Sequence, residues 1–368
     1  MALTRIQPPA IADVREPNFR NIVINGDMAV SQRGTSFAAN GYTLDRFTMD
    51  ESTDGAVTVT QDTDVPAGSD FASSLKVDCT TADGTIAAAQ YCAFTTSFEG
   101  QNLQYLKYGT SSAESLTLSF WVKSVKTGTY CISFVKDAGG ETRYECPIEY
   151  TISSASTWEK KTITLTPTAG STTLITNSAG AIVNSNAKGF RVIFTLAAGS
   201  NFHATNNTWV AGSDKLGTSS QVNFLDSTSN NFWITGVQLE AGSVATDFEV
   251  IPYGVNLQRC YRYYYKYADG NNSSLGLGVV HYANQMDFVI TFPTQMRANP
   301  TVDQVTGTDY YQFYHNTGDF FNGIDSIQDE GKNQQTYLVS SNISASANEC
   351  GIVYGANASA YMAADAEL

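Results

Sequence analysis

Hydrophobic and polar side chains trade places residue by residue in the middle of this chain, and that period of two constrains the fold more than any other feature. Leu118, Phe120 and Val122 fall on one face while Ser119, Trp121 and Lys123 fall on the other, the pattern of a strand with one side buried. Tyr130, Ile132 and Phe134 repeat it after a turn at Gly128, and Asp137-Ala138-Gly139-Gly140 closes the next hairpin. Further strands are expected at 161–166, at 190–196, where Phe190, Val192, Phe194 and Leu196 share a side, and at 232–239. Helical periodicity over about 11 residues is scarce, and 254–259 makes a short helical turn at most. The chain therefore reads as all-β.

A length of 368 residues suggests two domains at about 100 to 200 residues each. Charged residues make up only 15 %, against roughly 25 % in typical soluble proteins, so Ser, Thr, Asn, Gln and Gly must wet much of the surface, a palette suited to strands and turns. Residues 1–20 contain Pro8, Pro9 and Pro17 without periodicity and read as an extended attachment arm. Strands dominate from Asn21 onward, separated by Ser/Thr/Gly/Asn-rich loops at 169–186 and 197–221. Composition shifts near Pro252. There Tyr261, Tyr263, Tyr265 and Tyr267 alternate with Arg262, Tyr264 and Lys266, so one strand would carry four rings on a face that closes a core or a subunit interface. Strands at 286–292, 335–339, 349–354 and 359–363 complete a smaller sandwich. The expected division is an arm at 1–20, a first module at 21–252 and a second at 257–368. No tandem repeat supports a solenoid, β-helix or propeller.

The formal net charge is −14, and no Lys/Arg cluster reaches four in a row, which argues against binding nucleic acid. The N-terminal stretch Met1-Ala2-Leu3-Thr4-Arg5-Ile6 is not the apolar core of a signal peptide, and no run approaches the 18 or so apolar residues of a membrane span. Cytoplasmic synthesis without membrane insertion is the expectation. Six cysteines without a Cys-x-x-Cys pair then read as reduced thiols packed as small apolar groups, although Cys131 and Cys146 could pair across a hairpin.

The chemistry of catalysis is sparse. His203, His281 and His315 are isolated, no His-Glu-x-x-His or Gly-x-Ser-x-Gly occurs, and Gly331-Lys332 is followed by Asn333 rather than a phosphate-binding Ser or Thr. A glycosidase needs two carboxylates across a cleft, but 35 acidic residues always supply a pair, so none is informative. The expectation is a non-enzymatic protein without a cofactor. Among the tryptophans, Trp158 and Trp233 lie in strand patterns and are expected in the core. Trp209, in the polar segment Asn206-Asn207-Thr208-Trp209, is a candidate for carbohydrate contact. Tyr314, Phe320 and Phe321, with Phe313, flank the turn Asn316-Thr317-Gly318-Asp319 and are further contact candidates at the tip of the second sandwich.

Several segments carry a resemblance. The run Asn21-Ile22-Val23-Ile24-Asn25-Gly26-Asp27-Met28-Ala29-Val30-Ser31-Gln32-Arg33-Gly34-Thr35-Ser36, continued by Tyr42-Thr43-Leu44-Asp45-Arg46-Phe47, is followed by Leu118-Ser119-Phe120-Trp121-Val122-Lys123-Ser124, by Thr157-Trp158-Glu159-Lys160 and by Trp233-Ile234-Thr235-Gly236-Val237-Gln238-Leu239-Glu240-Ala241-Gly242, ending in Ala245-Thr246-Asp247-Phe248-Glu249. Together they resemble the carbohydrate-binding-module-like jelly roll of tailed-bacteriophage virion and tail fibre proteins. Arg259-Cys260-Tyr261-Arg262-Tyr263-Tyr264, Phe292-Pro293-Thr294-Gln295-Met296-Arg297 and Ala366-Glu367-Leu368 resemble the small C-terminal sandwich behind that jelly roll. The resemblance implies that first and last jelly-roll strands pair, that the protein is a homotrimer on the virion surface, and that another virion protein holds residues 1–20. A fibre touching a host-surface glycan is implied first, with a capsid decoration spike or a glycan-cleaving tail spike as alternatives; a secreted lectin would need the missing signal peptide. It also implies structural calcium, for which Asp27, Asp45 and Glu240 are the strand-end oxygen candidates, the plain alternative being solvated or turn-capping carboxylates.

Overall fold

The computed structural model describes residues 19–137, 143–167, 174–212, 214–315 and 318–368; the expected arm falls almost wholly outside them. The first module contains β1 (Ser36–Ala38), β2 (Gly41–Tyr42), β3 (Phe47–Glu51), β4 (Ala56–Asp62), β5 (Ser74–Thr81), β6 (Tyr91–Glu99), β7 (Leu116–Ser124), β8 (Gly128–Lys136), β9 (Tyr144–Ile152), β10 (Glu159–Leu165), β11 (Lys188–Ala198), β12 (Val210–Ala211) and β13 (Asn231–Ala241). They form two antiparallel sheets, one ordered β1-β4-β5-β13-β7-β10 and the other β12-β9-β8-β11-β6-β3-β2, a jelly-roll sandwich.

The apolar side read from the sequence is the side that meets the facing sheet, although β8 and most of β11 are buried on their other face as well, where Val135 and Ile193 join Ala93 and Leu216 in a small second cluster. Leu118, Phe120 and Val122 of β7, Tyr130, Ile132 and Phe134 of β8, and Phe190, Val192 and Phe194 of β11 are all fully buried between the sheets. Phe194 stacks on Phe94 at 4.8 Å and meets Phe120 edge-on at 5.5 Å, geometries that aromatic quadrupoles favour. The segment from Asn21 differs from the expected opening strand. Ile22 donates its N–H to the Leu239 carbonyl and Val237 donates to Gly26, both at 2.8 Å, so it does lie along β13. It is irregular, however, because Asn25 and Met28 adopt left-handed backbone and the Asn21 carboxamide, not backbone alone, bonds Val237 and Leu239.

The second module opens with α1 (Tyr253–Tyr261), nine residues where the sequence suggested one turn. Its buried side carries Asn256 and Cys260 rather than an apolar stripe, and Asn256 is consumed in bonds to the Asn25 N–H and the Asp27 carboxylate. Among the described residues ten strands follow, none pairing with a strand of the first module: β14 (Tyr264–Asp269), β15 (Ser274–Tyr282), β16 (Gln285–Thr291), β17 (Thr301–Gln304), β18 (Tyr311–Tyr314), β19 (Asp319–Phe321), β20 (Ser326–Asp329), β21 (Gln334–Val339), β22 (Cys350–Gly355) and β23 (Tyr361–Asp365). They pair as a three-stranded sheet, β14-β23-β17, and a seven-stranded one, β19-β18-β22-β15-β16-β21-β20. Because α1 ends at Tyr261, the four tyrosines do not share one strand face. Tyr265 and Tyr267 pack against the second core, Tyr261 meets Tyr265 at 4.9 Å, and Tyr263 turns into the joint between the modules.

That joint is ionic and buried. Arg46 is 2 % exposed, pairs with Glu367, donates to the Ser97 carbonyl at 2.7 Å and lies 3.5 Å over the Tyr263 ring. Arg33 bridges Asp365 and Glu367 while covering the Tyr264 ring at 3.5 Å. Glu99 receives Arg262 through both carboxylate oxygens at 2.7 Å, and the Tyr263 hydroxyl as well. Arg46 holds a positive φ of 71°, a strain of about 1–3 kcal/mol that persists only where neighbours fix the residue.

Arg46→Met should lower the unfolding free energy by about 3–5 kcal/mol, the cost of stranding one member of a buried pair, as read by urea denaturation; a loss below ~1 kcal/mol would contradict the joint's role. Burial alone would raise the Glu99 carboxyl, but Arg262 and Tyr263 outweigh it and hold it below its ordinary 4.5. Its stabilisation is therefore present above the unfolded-state value and lost as pH falls through the lower folded one. Glu99→Gln should flatten the acid limb of stability against pH below 4.5, and an unaltered limb would show that the clamp contributes nothing.

Candidate functional site

The outer face of the six-stranded sheet carries the side chains opposite the core. On β7 these are Ser119, Trp121 and Lys123; in register, Trp121 stands across from Lys160 of β10 and Thr235 of β13, and Lys123 across from Trp233. Trp233 in turn faces Lys76 of β5. The Lys123 ammonium sits 4.2 Å from the Trp233 ring and 5.5 Å from that of Trp158, so cations and indoles alternate across β5, β13 and β7 to the loop residue Trp158 just before β10, each pair contributing ~0.5–1 kcal/mol. Both indoles are pinned: Trp158 donates to Asp64 at 3.0 Å and Trp233 to Asp62 at 3.2 Å. Burial works against the Asp64 carboxylate, yet Lys123 and Trp158 overcome it and hold the group below its ordinary range.

One step along β7 the surface sinks into a groove of about 370 Å³ floored by Ser119 and Trp121, walled by Phe71 and Phe248, and edged by Asp27 and Asp247. Phe71 meets Phe248 edge-on at 5.0 Å. Gly236 makes this possible. It sits at a bulge of β13 with φ +60°, and a Cβ there would come within 2.5 Å of the Phe71 ring and 3.2 Å of Trp121, so only glycine leaves room for the ring to pack this close to the strand. Burial raises the Asp27 carboxyl above its ordinary value, against the hydrogen bond from Asn256. Half-buried rings lining one groove with carboxylates and an amine, Lys160, are what a ligand with alternating apolar and hydroxylated faces requires.

The candidates named from sequence are scattered. Trp209 is a correction: it is 6 % exposed and belongs to the first core, because β12 pairs with β9 and draws its loop inward. Trp158 and Trp233 are corrected in the opposite sense, lying half-buried on the outer face rather than in the core. Phe321 is fully buried and also leaves the list, whereas Tyr314 and Phe320 are exposed at 58 % and 44 %, far out on the second module. Alternation along β7 had already put Trp121 on the polar side, which was the available signal for the groove. Phe71, Phe248 and Gly236 carried none, since they come from loops and a bulge brought together only by the fold.

The carboxylates considered for calcium are separated and engaged by protein donors. Asp45 accepts the Gln32 backbone N–H at 2.7 Å and its side-chain amide at 2.5 Å. Glu240 accepts the Thr246 N–H and hydroxyl and faces Arg20 at 3.3 Å. Among the described residues no cluster of three or more His, Cys, Asp or Glu could hold a metal ion. All six cysteines are free, five of them buried and Cys350 exposed, so the expectation of packed thiols fails at Cys350.

No protein-family model matches this chain, and no curated protein matches it. Solved structures similar to it include the enzymatically active domain of tailspike protein 4 from bacteriophage CBA120, at 15 % identity and a TM-score of 0.32 over 61 % of this chain and 22 % of that one. Others are the family 11 carbohydrate-binding module from Clostridium thermocellum in complex with a β-1,3-1,4-mixed-linked tetrasaccharide, at 12 % and 0.28 over 59 % and 99 %, and a sugar-binding protein described from Bacteroides thetaiotaomicron, at 11 % and 0.31 over 60 % and 99 %. The chain spans about a fifth of the tailspike's length. Superposition this loose carries no argument about ligand or chemistry, and the case for a ligand rests on the groove itself.

Trp209→Ala should destabilise the protein by about 3–5 kcal/mol, as for other buried aromatic deletions. Trp158→Ala should cost less than half of that, and equal losses in thermal unfolding would refute the assignment of the two rings to core and surface.

Proposed function

We propose that this chain is a non-enzymatic structural protein of a tailed-phage virion, part of a fibre or spike, and that the groove over Trp121 binds a glycan of the host surface. The observation that carries the glycan reading is the Gly236 bulge, whose missing side chain lets Phe71 pack beside Trp121 in a groove also lined by Phe248, Asp27 and Asp247. A virion setting is supported by the order of the two modules and by the sequence segments that resemble phage fibre proteins. In that setting residues 1–20 attach to a neighbouring virion protein and the second module projects.

Glycan-array screening followed by calorimetry on the full chain tests the reading. A host-surface oligosaccharide should bind, and Trp121→Ala and Phe248→Ala should each weaken it about tenfold, equivalent to ~1.4 kcal/mol. Failure to retain any glycan, or wild-type affinity in both variants, would refute the groove. Release of reducing ends from host polysaccharide would instead establish a cleaving enzyme.

A further inference from the structure

Two carboxylates of the Trp121 groove each stand next to one of its wall rings. Asp70 directly precedes Phe71 in the loop between β4 and β5, and Asp247 directly precedes Phe248 in the segment after β13. The fold brings these two Asp-Phe pairs from separate loops to one groove, where the rings meet at 5.0 Å. Both aspartates are exposed, and among the described residues neither carboxylate has a hydrogen-bond or ion-pair partner. Asp27 adds a third carboxylate, tied to the Asn256 carboxamide at 3.0 Å. Against them stands one lining ammonium, Lys160, exposed on β10 across from Trp121. Cations around the groove are already matched: Arg20 reaches the Asp247 carbonyl but pairs with Glu240, Lys123 pairs with Asp64, and Lys76 with Asp78. Negative charge is therefore in excess, on a chain that already carries −14.

On the glycan reading above, on which this rests, we infer that the sugar taken by the groove carries a free amino group. An unpaired carboxylate in open solvent needs no explanation, but two that flank one pair of rings give the groove a preference for charge. Aromatic rings attract a cation, the indole most strongly, and Trp121, Phe71 and Phe248 line the groove half-buried. The aspartates beside them supply the counter-charge, and a bond from ammonium to carboxylate is about twice as strong as one between neutral groups. Rings and carboxylates thus favour the same ligand group, which a hydroxyl satisfies only in part. N-acetylation would cancel the charge and leave an amide with one N–H in place of an ammonium with three donors. An acidic sugar fares worst. Its carboxylate would stand among like charges with Lys160 alone to offset them, and the field of the whole chain would oppose its approach.

Calorimetry on the full chain at about pH 6, below the range in which α-amino-type amines titrate, compares the disaccharides of glucosamine with its amines free, of N-acetylglucosamine and of galacturonic acid. The free-amine form should bind about tenfold more tightly than the acetylated one, as two partly exposed ion pairs and a ring contact together allow, and the acidic form should bind most weakly. Salt at ~0.5 M should shrink the margin by screening exposed charges. Asp70→Asn combined with Asp247→Asn should bring the amine and acetylated forms level. Asp329→Asn combined with Glu330→Gln, which removes two exposed carboxylates of the second module instead, should leave the margin as it was. A free-amine sugar that fails to bind, or that binds no more tightly than the acetylated or acidic one, overturns the preference. So does a margin that survives loss of Asp70 and Asp247, or one that falls equally with the distant pair and so reports net charge alone. Trp121→Ala separates this from the groove itself: an acetylated or acidic sugar that binds the wild type as tightly as the amine and is lost in that variant leaves a glycan site without a taste for amines, whereas amine binding that persists in it removes both.

Discussion

The buried pairing of Arg46 with Glu367 is the interaction on which the arrangement of the molecule depends. Taking both charges out of water costs several kcal/mol per ion, and the cost is recovered only with good geometry and further hydrogen bonds. The joint supplies them from both modules at once: the Ser97 carbonyl and Arg46 from the jelly roll, Glu367 and the Tyr263 ring from the second module. Arg297 seals the far side by donating to the Ala366 and Glu367 carbonyls while exchanging bonds with Asn186 of the first module. An apolar contact would tolerate sliding and rotation. This one accepts a single relative placement, so the groove on the first module and the seven-stranded sheet of the second are held at a set angle.

The fold was largely readable because strands report themselves by period. In β7, β8 and β11 alternation predicted the residues that lie between the sheets, although Cys131, Ser133, Val135 and Ile193 on the opposite side of β8 and β11 are buried as well. The parts that escaped were those in which polar side chains replace backbone or apolar partners. Residues 21–35 run beside β13 through the carboxamide of Asn21, and α1 buries Asn256, so neither presents the repeating hydrophobics that mark a strand or a helix. The tyrosine run misled for a related reason: a helix end and a strand start both fit four alternating rings, and sequence alone does not say where one gives way to the other.

The joint and the groove were less legible. Arg33, Arg46, Arg262, Arg297 and Glu367 all stood within segments whose resemblance to phage proteins was visible, but their convergence is a property of three-dimensional packing. For the tryptophans the error had a physical origin. A strand pattern locates an indole on a strand without saying which face it takes, and a polar neighbourhood says little about a loop that folds back on the sheet. Trp158 and Trp233 were thus placed inside and Trp209 outside, when the reverse holds. Parity along β7 was the sounder guide.

The Arg46–Glu367 contact also joins residues 321 positions apart. At a translation rate of about 5–20 residues per second, the arginine waits roughly 15–60 s for its partner to be synthesised. Through that interval the nascent jelly roll exposes two guanidinium groups and a carboxylate at the site of the future joint, a hydrated and poorly adhesive patch rather than a sticky hydrophobic one. A seam made of charge thus lets the early part of the chain linger beside its neighbours on a polysome without clumping before the late part arrives to cover it.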